Sequence, residues 1–224
     1  YVSGNSNNGT THDWLIRKYY SSLNFVSSFT FAANVSTGVS NSPNVYIALD
    51  GAGNLVVSGE YFNGSTTDGL IIKYSPPFVL LSSAPLGASF FGLFFSPAVS
   101  SGGDIIALAL ADNGAGFTSW LQKFNSSLTP VSSAPLTYPA LSFALDNSNY
   151  AYAAGVASLA EAESANDFHT TRKYMGIGAA PGIFTGNFSQ AGGANFDGGN
   201  MDWGMGSAVY NSNVYVVGIS SPNT

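Results

Sequence analysis

Six basic residues, twelve acidic ones and two histidines carry the charge chemistry of this chain, and cysteine is absent. Without cysteine there is no thiolate nucleophile, no disulfide framework and no zinc–thiolate site. No Gly-x-Ser-x-Gly elbow, phosphate-binding glycine loop or His-x-x-x-His pair occurs either. His12 stands beside Asp13, and His169 follows Asp167 by two positions. A carboxylate so placed can orient an imidazole base, but no nucleophile is marked near either pair, and exposed hairpin residues are the simpler expectation. Glu161 and Glu163 lie in "SLAEAESAND", which reads as a solvated loop or a helical turn. Asp197 and Asp202 in "FDGGNMDWG" offer oxygens of the kind calcium takes. A long glycine-rich loop explains them as well, so no metal or cofactor is expected. Trp14, Trp120 and Trp203 have faces that stack on sugars, but the first two fall inside apolar runs and are expected in the core.

The elements that must position these residues are limited by composition. At 224 residues the chain is long enough for one sizeable domain. Hydrophobic residues make up 45% and charged residues only 8%, against roughly 25% charged in an average soluble protein. The polar surface must therefore rest on Ser, Thr, Asn and Gly, or on attached sugars. A net charge of −6 disfavours nucleic acid and anionic membrane surfaces as partners. Asn-x-Ser/Thr sequons occur at Asn8, Asn34, Asn63, Asn125 and Asn187, as expected of an extracellular or cell-surface glycoprotein, although a chain rich in Asn, Ser and Thr also produces them by chance. The chain starts at Tyr1, as a processed product or a fragment would. Residues 74 to 104 are free of charge between their end points, yet Pro76, Pro77, Pro85 and Pro97 interrupt them, so membrane insertion is not expected.

The basic residues give the organisation. Lys18, Lys73, Lys123 and Lys173 are 55, 50 and 50 residues apart, and each is followed by an aromatic: Tyr19, Tyr74, Phe124, Tyr174. Fourteen positions before the first three stand Gly4, Gly59 and Ala109, each closing an apolar run; Gly155 precedes the fourth by 18. Eight positions after the first three come Val26, Leu81 and Val131, each followed by two serines. Agreement at several offsets marks an internal repeat. The second copy holds four strand-like runs, A to D: "NVYIALD", "NLVVSG", "DGLIIKY" and "FVLLSSAPL". Asn8-Gly9, Asn63-Gly64 and Asn113-Gly114 recur between B and C, where a two-residue turn with positive φ at both positions is expected. Four antiparallel strands repeated about every 50 residues predict an all-β protein, a β-propeller of about four four-stranded blades, alone or within a longer ring. The units run roughly over 1–31, 44–86, 95–136 and 141–186, with a partial unit at 206–224.

The segment "DGAGNLVVSGEYFNGSTTDGLIIKYSP" resembles the SBBP-type β-propeller repeat of secreted bacterial and archaeal proteins. Asp50, Gly53, Asn54, Gly59, Asp68, Lys73 and Tyr74 carry the likeness, and Gly4, Asp13, Lys18 and Tyr19 repeat part of it. The third copy departs with Ala109 and Thr118, and the fourth has an insertion between B and C. The resemblance implies a propeller and no particular activity.

A hairpin folded about Asn113-Gly114 pairs residues whose numbers sum to 227, which sets Lys123 opposite Asp104; the same arithmetic sets Lys73 opposite Asn54, near Asp50. Each lysine is then expected to bind the A–B turn of its own unit, with its stem packed between blades; Lys123–Asp104 becomes a partly exposed pair worth about 0.2–1 kcal/mol. A basic ring holding an anion in a central channel is the alternative. Tyr1 to Gly4 forms a strand B without its A, while "GSAVY" and "VYVVG" form an A and a B without C and D, and the surplus edge offers self-association. The expected function is a non-catalytic extracellular module that binds protein or glycan at the cell surface, or builds an adhesin or filament. The alternative is a secreted carbohydrate-active enzyme, a glycoside hydrolase or lyase, which requires two carboxyl groups about 5–10 Å apart in one cleft.

Overall fold

A computed structural model describes residues 1–36, 44–88, 91–112, 114, 116–136, 140–147, 149–156, 169–174, 190–196, 201–210 and 213–221. Every element among them is a strand. No helix among the described residues is long and apolar enough to cross a membrane.

The strands form sequential antiparallel meanders. Sheet 1 contains β1 (Val2–Asn7), β2 (Thr11–Tyr19) and β3 (Phe25–Ser36). Sheet 2 contains β4 (Val45–Leu49), β5 (Leu55–Phe62), β6 (Thr67–Ser75) and β7 (Val79–Pro85), and sheet 3 contains β8 (Phe91–Val99), β9 (Ile105–Asp112), β10 (Phe117–Phe124) and β11 (Pro130–Pro135). A single parallel bridge, Thr67 to Phe91, joins sheets 2 and 3 at one corner. Sheet 4 contains β12 (Ala140–Leu145), β13 (Ala151–Val156), β14 (His169–Tyr174) and β15 (Gln190–Phe196). Sheet 5 is the hairpin of β16 (Met201–Tyr210) and β17 (Asn213–Ser221). The strands at both ends match the expected B-C-D and A-B sets. The fourth unit was expected to end at residue 186; its last strand is β15, which pairs with β14, and of the stretch "FDGGNMDWG" read as a glycine-rich loop Met201–Gly204 pairs within sheet 5.

The core consists of apolar layers between consecutive sheets. Trp14, Ile16, Val35, Val57 and Ile72 fill the layer between sheets 1 and 2. Val56, Ile71, Phe94, Ala107 and Phe124 fill the next, and Leu108, Leu121, Ala134, Phe143 and Ala153 the third. Successive side chains of a strand point to opposite faces. An interior sheet therefore needs apolar residues at consecutive positions, which is why β6 is buried along almost its whole length. Among the described residues sheet 1 is packed on one face, and β2 alternates between buried and part-buried residues from Thr11 to Ile16.

The layers also explain a repeat glycine. A Cβ on Gly59 would lie 2.5 Å from the Asn44 carbonyl oxygen and 3.1 Å from the Trp14 ring, whereas a Cβ on Gly4 meets nothing within 4 Å. Gly59→Ala is expected to lower stability by about 1–3 kcal/mol, and Gly4→Ala to change it by less than about 0.5 kcal/mol. Urea unfolding of the two variants against the parent checks the contrast; equal losses would show that the glycine is kept for another reason.

The B–C hairpins differ from expectation in register and in turn chemistry. Observed partners sum to 129 in sheet 2 (Phe62–Thr67) and 229 in sheet 3 (Asp112–Phe117). Lys123 accordingly faces Ile106, and Lys73 faces Val56. Gly9, Gly64 and Gly114 have positive φ, but Asn8 and Asn63 do not. Each of these asparagines acts through its side chain: Asn8 Oδ1 accepts from the Thr10 and Thr11 N–H groups, and Asn63 Oδ1 from those of Ser65 and Thr66. Such Asx turns close a longer loop than a two-residue turn does. Because the shift moves each partner by two residues, the facing side chains stay on the same face.

Candidate functional site

The A–B turns are five-residue loops of one design. In Asp50–Asn54, Ser100–Asp104 and Asp146–Tyr150 the first N–H donates to the last carbonyl, and the fourth N–H donates to the first carbonyl. The last N–H donates to the first side chain: Asn54 to Asp50, Asp104 to Ser100, Tyr150 to Asp146. The fourth residue has positive φ, as Gly53, Gly103 or Asn149. The carboxylate is carried at the first position in sheet 2 and at the last in sheet 3.

Each carboxylate receives the lysine of its own strand C. Lys73 Nζ lies 2.9 Å from Asp50 Oδ2, and Lys123 Nζ lies 2.7 Å from Asp104 Oδ2. Lys73 Nζ also donates to the Ser126 carbonyl at 2.8 Å, in the C–D turn of the next sheet. The repeat lysine thus ties its own A–B turn to its neighbour. Both pairs are more buried than the sequence suggested. Side-chain exposure is 7% for Lys73 and 9% for Asp50, and 6% for Lys123; only Asp104, at 32%, keeps substantial contact with water. Burial alone would raise the Asp50 carboxyl. Hydrogen bonds from Lys73, from the Asn54 side chain, and from the Asn54 and Ala52 N–H groups outweigh it and lower the pKa from 3.8 to about 2. Lys18, whose sheet has no strand A, stands 5.6 Å from the centroid of the Tyr1 ring. Lys173 lies in β14 opposite Tyr152.

The second repeated acid closes the other end of strand C. Asp68 is 1% exposed, and its carboxylate accepts from the N–H groups of Gly69, Gly87 and Ala88 at 2.7–3.0 Å. It thereby holds the connection that leaves β7. Asp13, at the same repeat position, accepts from Asn34 N at 3.1 Å. Thr118 replaces the acid in sheet 3 and donates to the Ala111 carbonyl. The sequence marked Asp68 as a repeat residue without indicating its role.

The expectation that His12 and Asp13 are exposed hairpin residues is corrected. Both residues lie in β2 rather than in an exposed hairpin; His12 is 5% exposed on the covered face, and Asp13 points to the opposite face. Trp14 is fully buried and donates Nε1–H to the Glu60 carbonyl, and Trp120 is half-buried, as expected of core residues. Glu60 is itself a buried carboxylate that the sequence reading passed over; burial first, and then Glu60, push the Tyr46 phenol upward. Burial raises Tyr74 to about 12.

Two clefts of about 620 Å³ open between sheets 1 and 2. One, beside the B–C hairpins, is lined by Asn34, Ser36, Ser65, Thr67, Phe62 and Phe91 among others; the other is walled by Phe29, Phe31, Tyr61, Tyr74 and Phe78. No acidic residue lines either. No cluster of three metal-binding side chains exists among the described residues. Asp202 belongs to β16, opposite Ser220. Glu161, Glu163, Asp167, Asp197 and Asn187 lie outside the described residues.

Asn8 and Asn63 stand exposed at equivalent hairpin tips, and each Oδ1 also accepts from the hydroxyl two residues on, Thr10 at 3.0 Å and Ser65 at 2.9 Å. Asn34 is exposed in β3 with φ of 54°. Asn125 opens a C–D turn, its Oδ1 accepting from the Ser127 and Thr129 N–H groups.

No protein-family model and no curated protein matches the chain.

Proposed function

We propose that the chain is a repeat protein of the SBBP β-propeller type, serving as a non-catalytic extracellular module of a cell-surface, adhesin or filament glycoprotein. The observation that carries this reading is the use made of six described aspartates. Asp13, Asp50, Asp68, Asp104, Asp112 and Asp146 each accept a hydrogen bond or ion pair within the strands and turns, and neither cleft has an acid in its lining. Residues committed to holding turns are poorly placed for acid–base chemistry. Strands D, by contrast, expose Val79, Leu80, Leu81, Val131 and Phe25 to solvent, a rim suited to broad contacts with protein or glycan.

The glycoprotein part of the proposal rests on the two matching sequon tips. With Asn8 and Asn63 on equivalent hairpins, sugars would coat the face of the B–C hairpins, and a ligand would approach from the A–B and C–D turns around Asp50, Asp104 and Asp146. The third copy keeps Gly114 but has Ala115 in place of the acceptor hydroxyl. Glycopeptide mapping of protein from its native source is expected to find Asn8 and Asn63 occupied and Asn113 unmodified. Bare asparagines at both tips would remove the shielding and most of the support for an extracellular glycoprotein.

A further inference from the structure

In the first and third copies of the repeat, the residue before the Asn-Gly pair holds the B–C turn. Asn7 Oδ1 accepts from Gly9 N–H at 2.7 Å, and Asp112 Oδ1 from Gly114 N–H at 2.8 Å. The second copy has Phe62 at that position, and its side chain offers no acceptor. Phe62 is instead 43% exposed and lines the cleft of about 620 Å³ beside the hairpins. A ring that replaces a turn acceptor and stays partly in water adds little to the stability of the turn. Its placement suits a ligand. Phe91 supplies a second ring, and the rest of the lining is hydroxyl groups and the Asn34 carboxamide, without charge. Ring faces among neutral hydrogen-bonding groups match a sugar, which has C–H faces and hydroxyl edges. A source of sugar adjoins the cleft. Asn63 follows Phe62, and its Nδ2, the atom that bears the glycan of a sequon, lies 3.1 Å from Thr66 Oγ1 in the cleft lining. Asn8 Nδ2 likewise lies 2.8 Å from Thr11 Oγ1 on the sheet 1 wall, but Asn7 precedes it in place of an aromatic.

We propose that the glycan on Asn63 folds back into this cleft and stacks on Phe62 and Phe91, so that it packs between sheets 1 and 2. The inference rests on the glycoprotein reading given above and assigns that glycan a structural place. The tether decides the occupant. A sugar attached beside its site is present at an effective concentration of about the millimolar range, so contacts too weak to capture free sugar suffice to hold it. The cleft volume falls within the roughly 300–1,000 Å³ of pockets that hold small ligands. The third copy loses all the parts together: Asp112, Ala115 and Gly116 stand where the second has Phe62, Ser65 and Thr66. Where the sequon is absent, the position before the Asn-Gly pair again serves the turn.

The test uses the whole chain produced in its native source and, for the bare form, in a host without N-glycosylation. Three variants accompany the parent. Ser65→Ala removes the Asn63 sequon, Thr10→Ala removes the Asn8 sequon, and Phe62→Asn keeps the Asn63 sequon while restoring a turn acceptor. Glycopeptide mapping fixes occupancy, and hydroxyl-radical labelling reads the exposure of Phe62 and Phe91. In the glycosylated parent both rings are expected to label several-fold less than in Ser65→Ala, with Thr10→Ala matching the parent; in the bare proteins the parent and Ser65→Ala should label alike. Phe62→Asn should raise the urea midpoint of the bare protein and lower that of the glycosylated one. An occupied Asn63 with equal labelling in the parent and Ser65→Ala overturns the proposal and leaves the glycoprotein reading standing. So does protection that disappears in Thr10→Ala, which would give the cleft to the Asn8 glycan, or a Phe62→Asn shift of the same sign in both forms. A bare Asn63 in native protein overturns the proposal through the reading on which it rests.

Discussion

Lys73→Met is expected to cost about 3–5 kcal/mol, the range for removing one partner of a buried ion pair. The methionine keeps the apolar stem that packs between the sheets, so the loss reports the ammonium alone. Asp50, at 9% side-chain exposure, would be left without its cation, and the Ser126 carbonyl would lose its donor in the neighbouring turn. Lys123→Met should cost less, because Asp104 is 32% exposed and recovers part of its hydration. Guanidinium unfolding of both variants checks the order, and a reversed order would show that the link to Ser126 carries little energy. The same pair sets an acid limb. Asp50 has a folded pKa of about 2 against an ordinary 3.8, so its contribution is complete above pH of about 4 and is lost as pH falls toward 2. Asp50→Asn should flatten that part of the stability curve.

Asp68→Ala is the second large effect, about 3–5 kcal/mol, since it strips the acceptor from three N–H groups around a carboxylate that is 1% exposed. Unfolding should begin at the connection after β7, so hydrogen exchange at Gly87 and Ala88 should rise before the global transition. Asp13→Ala removes one such bond at a part-buried position and is expected to cost about 1 kcal/mol. Comparable losses at the two sites would show that neither burial nor the number of donors sets the cost.

The division between what the sequence determined and what it left open follows from range. Strand type, strand order and the four-part unit were legible because they rest on local patterns repeated at fixed offsets: Lys followed by an aromatic, Gly after an apolar run, Asn-Gly between strands. The partnership of Lys123 with Asp104 was legible too, because it joins neighbouring strands of one hairpin. The register was off by two residues, since the same Asn-Gly pair suits a two-residue turn by backbone conformation and a longer Asx turn by side-chain hydrogen bonding. Burial was misjudged wherever it depends on a neighbouring sheet. Lys73, His12 and Glu60 look like surface residues in the chain, and the stack covers them. The bond from Lys73 to Ser126 spans 53 residues, and no local pattern encodes it.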